Sequence, residues 1–168
     1  MRSVSIRWFA IGVAVIAAAV LVAEAAALTI TTAAISFPGV TLNGGPQTVD
    51  GSTSAWRADA TGETGGWKVT VASTDFDNGS GKTIAVSNFE IRLLDANIVW
   101  VSGSTNRPTS NQTTFTALSG TGLKMASAAV NNGNGVYDIT PEFRLTVPAE
   151  TYAGSYTATV TADISAGP

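Results

Sequence analysis

Twelve carboxylates, nine cations and no histidine or cysteine set the chemistry open to this 168-residue chain. Without imidazole there is no ordinary general base near neutral pH and none of the commonest transition-metal ligand. A Ser-His-Asp triad, a Cys-His dyad and a His/Cys zinc site are therefore impossible. A serine-lysine pair or a carboxylate pair stays open. Lys82, two residues after Ser80 in a glycine-rich turn, and Lys124, near Ser127, both read as solvated surface groups. The acids are spread evenly and fall at turns or on the polar sides of strands. The chain reads as a non-enzyme that needs no cofactor.

One segment gathers metal-ligand types: Asp75-Phe76-Asp77-Asn78-Gly79-Ser80-Gly81. Asp75, Asp77 and Asn78 resemble the opening of a calcium loop, which must be completed by a bidentate glutamate at fixed spacing. That spacing lands on Val86, so a polar hairpin turn is the better reading and no metal is expected. Asn78-Gly79-Ser80 and Asn111-Gln112-Thr113 fit the glycan-acceptor pattern and mark these segments as exposed.

Trp56, Trp67 and Trp100 have two readings, since exposed indoles stack on sugars and buried ones fill cores. Trp67 alternates with polar neighbours on a strand and is the most core-like of the three. Trp100, in Ile98-Val99-Trp100-Val101, has apolar neighbours on both faces, which points to a central strand or a covered contact surface.

The elements that position these residues begin after an export signal. Arg2 and Arg7, an uncharged apolar run over 8–23, and small residues around Ala25 and Ala27 form the three parts of a secretory leader. A signal helix over 1–27 is expected, with cleavage after Ala25 or Ala27, and this places the mature chain outside the cell or at its surface. Loss of Arg2, Arg7 and Glu24 leaves seven cations against eleven acids, a net charge of −4. The cations are scattered singly, so nucleic acid is excluded as a partner. Having no cysteine, the domain must rest on its core and not on disulfides.

Past Leu28 the composition turns to Thr, Val, Ser, Ala, Gly and Asn, which favours strands and turns. Period-two alternation marks four clear strands, at 67–72, 89–94, 143–147 and 156–164. Weaker candidates lie at 28–35, 40–42, 54–60, 98–101, 113–117 and 122–126. Pro148 ends the strand before it, and 102–112 reads as a connection or binding loop. With no amphipathic helix and no internal repeat, residues 28–168 read as one all-β domain. The expected architecture is a two-sheet β-sandwich, immunoglobulin-like or jelly-roll.

Two stretches carry a family resemblance. Gly66-Trp67-Lys68-Val69-Thr70-Val71, followed by Thr74-Asp75-Phe76 and Ser87-Asn88-Phe89, resembles the first half of the WxL-type surface domains of Gram-positive bacteria and their relatives. The stretch from Tyr156 through Ala162-Asp163-Ile164 to Pro168 resembles their closing motif. Val69 stands where the family has leucine, and Ala162 where a tryptophan opens the second triplet. The resemblance implies an all-β module held non-covalently to the cell wall; the binding candidates are Trp67, Val69, Tyr156 and Ile164 on its two stretches and, from the apolar run 98–101, Trp100. The expected partner is a cell-wall polymer or a surface protein. The alternative is a subunit that self-associates through strand 28–35 into an extracellular filament or layer by strand addition.

Overall fold

The computed structural model describes residues 27–168; the expected signal helix over 1–27 lies, but for its last residue, outside the described residues. The described chain is all-β. In order its strands are β1 (Thr29–Thr31), β2 (Ile35–Ser36), β3 (Gln47–Thr53), β4 (Trp56–Asp59), β5 (Trp67–Ser73), β6 (Phe76–Asp77), β7 (Thr83–Ile84), β8 (Phe89–Arg92), β9 (Ile98–Gly103), β10 (Thr109–Ser110), β11 (Thr116–Ala117), β12 (Leu123–Ala128), β13 (Gly135–Ile139), β14 (Glu142–Val147) and β15 (Val160–Ala166).

They build a two-sheet β-sandwich. One wall has two consecutive halves, ordered β1-β4-β13-β9 and β2-β3-β14-β8-β11. The chain runs from β3 into β4, from β8 towards β9 and from β13 into β14, so the halves follow one another along the same strands. The register carries across: Thr29 pairs with Asp59, and six residues later Ile35 pairs with Thr53. The other wall is β10-β12-β5-β15, extended by the β6-β7 hairpin.

Alternation explains the packing. In β5 the side chains of Trp67, Val69, Val71 and Ser73 are buried while those between them are half-exposed; β14 buries Phe143, Leu145 and Val147 in the same way. The walls meet where the Trp67 ring lies 6.3 Å from that of Tyr137 on β13. A row of aromatics runs through the centre, with Phe76 to Phe89 at 5.2 Å, Phe89 to Phe143 at 5.5 Å and Phe143 to Trp56 at 5.8 Å. Each such side chain contributes about 1.5–3 kcal/mol through burial, which is how a chain without disulfides gains its stability.

Several expected elements differ. Two strands carried too little pattern to be anticipated: the inward set of β3 is Gln47, Val49, Gly51 and Thr53, with one aliphatic, and that of β13 includes Gly135. Residues 40–42 form no strand, because Val40 and Leu42 line a cleft instead of pairing. The last strand begins at Val160, not Tyr156. Strand 28–35 is interrupted at 32–34 and is already paired, through β1 to β4 and β2 to β3. Trp100 lies on an edge strand, not a central one.

Candidate binding surfaces

The first motif belongs to the core. Trp67 and Val69 are both fully buried. The Trp67 indole N–H donates to the Gly133 carbonyl at 2.9 Å, and Val69 faces Ala126 and Ile164 across its two neighbouring strands. Neither side chain reaches solvent, so neither can touch a partner while the domain is folded. Ile164, half-buried on β15, covers the core from the edge. Tyr156 stands at a different place, its hydroxyl donating to the Tyr152 carbonyl at 3.1 Å. The five binding candidates therefore do not form one site.

Trp100 is the exposed one. It is 41% exposed, Val99 beside it 52% and Val101 38%. Its indole N–H donates to the Gly103 carbonyl at 3.3 Å, which holds the ring against the strand. β9 is the last strand of its half-sheet, paired only with β13. The Arg107 guanidinium donates to the Ile98 carbonyl at 3.2 Å, leaving 99–101 as an uncharged apolar ridge on an edge. Val99 and Val101 were not singled out from sequence. Their signal is a run of four apolar residues without alternation, which also fits burial on both faces.

A second surface is the cleft where the sandwich stays open, between 32–42 and 151–160. One part of it, about 400 Å³, is lined by residues that include Phe37, Leu42, Ile84, Leu145, Tyr152 and Tyr156. Tyr152 is 60% exposed, and the Lys82 ammonium sits 4.2 Å over its ring.

The side-chain oxygens of the 75–78 turn are committed locally. Asp75 Oδ1 accepts from the Val86 amide at 2.7 Å, Asp77 Oδ1 from Gly79 at 2.7 Å, and Asn78 Oδ1 from Ser80 at 2.9 Å and Lys82 at 3.1 Å. These oxygens lock turns and do not converge on a common point. Among the described residues no cluster of three or more acidic side chains could hold a metal ion. On the outer face of the first wall, Arg57 grips Asp138 through two bonds of 2.9 and 3.0 Å. The hydrogen bond from Arg57, with its charge, holds the Asp138 carboxyl below its ordinary range against the opposing effect of burial. Arg92 pairs with Glu142, and Arg144 with Asp50 at 2.9 Å. Both guanidiniums lie over Phe115, at 4.5 and 3.9 Å from the ring centre. Asp59 accepts from the Thr61 backbone, and this lowers its pKa. Burial raises that of the Tyr137 phenol, with Arg107 pulling the other way.

No protein-family model matches the chain, and no curated protein sequence does. Among solved structures it is similar to a family 123 glycoside hydrolase from Clostridium perfringens, described for glycolipid glycan hydrolysis. The match has a TM-score of 0.36 and 16% identity, covering 71% of this chain and 19% of that one. The chain thus spans about a fifth of that enzyme's length, and a likeness at this level assigns no activity.

Proposed function

We propose that this protein is an exported, non-enzymatic surface module whose task is association, holding to cell-wall polymer or to a protein partner at the cell surface. The observation that carries this reading is the ridge of Val99, Trp100 and Val101, exposed together on an edge strand. Val99 pairs across the ladder with outward-facing Asp138 and Trp100 with inward-facing Tyr137, so the edge offers apolar surface on both of its faces for a partner to cover. Tryptophan is the side chain that most often dominates such contacts, because its ring gains much area for little lost freedom. The leader at the N-terminus and the absence of imidazole and thiol throughout the sequence support the same reading.

The test is retention of the exported protein on purified cell wall, with and without wall-associated protein, comparing the natural chain with Trp100→Ala. Truncating a central tryptophan costs about 2 kcal/mol of binding, or roughly thirty-fold in affinity. Equal retention of the two forms, or none by a folded natural chain, would overturn the proposal.

A further inference from the structure

The core begins at Trp56: from 27 to 55 no residue is buried. The first segment, 28–37, with β1 and β2 in it, therefore contributes only half-buried side chains, which pack against the core from its edge. It is held along one flank by five residue pairs, Thr29 to Asp59, Ile30 to Ala58, Thr31 to Arg57, Ile35 to Thr53 and Ser36 to Ser52. Along its other flank run cavities of about 330 and 240 Å³, between it and 156–160. Releasing the segment breaks two short ladders and uncovers the buried rings of Phe76 and Phe89 beneath Phe37, so the emptied seat favours refilling by a like segment.

Its seat is nonetheless specific. The Phe37 ring lies directly on Gly51, where a Cβ would come within 2.6 Å of it, and it meets Phe76 and Phe89 edge-on at 6.3 and 5.8 Å. Natural edge strands are guarded by charge or proline; 27–37 contains neither. The connection that follows, 38–46, carries Pro38 and Pro46, which offer no amide hydrogen, and three glycines. Its nine residues reach up to about 30 Å when extended, enough to pass the strand to an adjacent molecule.

We propose that strand 28–37 is exchangeable, one copy's strand taking in a second copy the seat that it occupies here in its own domain. The contacts in the exchanged state are the ones seen in the structure. The balance then depends on the conformation of 38–46 and on protein concentration, the conditions under which domain swapping costs little. Reciprocal exchange closes a dimer, and one-way exchange propagates a chain of copies. The inference is independent of the ridge on β9.

Ser36 and Ser52 provide the test, because their hydroxyl oxygens are 3.2 Å apart and the chain contains no cysteine. Two variants, Ser36→Cys and Ser52→Cys, one enlarged by a tag, are concentrated together and oxidised. Both positions are exposed, so collision alone gives 36–36, 52–52 and 36–52 disulfides in statistical proportion, and exchange adds an excess of the 36–52 bond, which it alone places in register. The expected result is a covalent heterodimer in excess of that proportion, whose yield rises with concentration, while the S36C/S52C double variant at low concentration closes an internal bond. A mixture in which the heterodimer does not exceed the statistical share set by the 36–36 and 52–52 homodimers, while the double variant closes internally, overturns the proposal. So does failure of both bonds, since the seat would then lack the register on which exchange depends.

Discussion

The indole nitrogen of Trp67 and the carbonyl oxygen of Gly133 are joined by a buried hydrogen bond of 2.9 Å, tying β5 to the turn that precedes β13. The turn can come so close because position 133 has no side chain. Gly133 has a φ of +69°, and a Cβ there would sit 2.4 Å from the Ala128 Cβ and 2.8 Å from the Trp67 nitrogen. Left-handed backbone and lack of space thus act together. Gly133→Ala is expected to lower stability by about 2–4 kcal/mol. An unchanged urea midpoint would show that the turn moves aside freely and that the contact does not anchor it.

The Arg57 and Asp138 pair sets a pH dependence of known sign. Its carboxyl titrates lower in the folded chain than in the unfolded one. The pair's contribution is therefore complete above the unfolded aspartate value, about 3.9, and is lost as pH falls through the folded value. Asp59 acts in the same direction. The melting temperature is expected to fall below about pH 4, with the slope reduced in Asp138→Asn. Both carboxylates are still partly open to solvent, so screening keeps the change small. If D138N follows the natural chain at every pH, the pair contributes nothing to the acid response.

Particular residues show how much of this architecture was legible. The strands around Trp67 and Phe143 could be read because bulky apolar side chains alternate with polar ones, and that pattern follows directly from the pleat. β3 was illegible because Gly51 receives a ring from Phe37 instead of contributing a side chain, so the apolar group on that face comes from elsewhere in sequence. The site was less legible than the fold. Trp67 and Trp100 are the same residue type on similar strands, yet one faces the opposite wall and the other an open edge. That difference lies in strand order, to which local pattern is blind. The turn at Asp75 misleads for a related reason, since acids that lock backbone amides have the same spacing as acids that gather around an ion.

Val99 is more than half exposed on the edge strand β9, so Val99→Lys is expected to change folding stability by less than about 1 kcal/mol. Its effect should appear in association, since a charge on an edge is the common device against strand addition. Retention on cell wall or on a protein partner should fall by at least tenfold. A variant that unfolds early instead would show Val99 to be a packing residue, and the ridge would lose its role.

Phe115 offers a sharper separation of causes, because two cations share its ring. The Arg144 and Arg92 guanidiniums approach it at 3.9 and 4.5 Å while also pairing with Asp50 and Glu142. Exposed ion pairs contribute little by themselves and are screened by salt. A ring between two guanidiniums adds roughly 0.5–1 kcal/mol per contact and fixes both side chains for their acids. Phe115→Ala should therefore cost about 1–2 kcal/mol at low ionic strength, and Phe115→Leu, which restores apolar area without a π face, should recover only part of it. The guanidinium stack accounts for the difference between leucine and phenylalanine. Were leucine to match phenylalanine in thermal unfolding, the ring would act through its area alone and the two cations would owe their positions to the carboxylates.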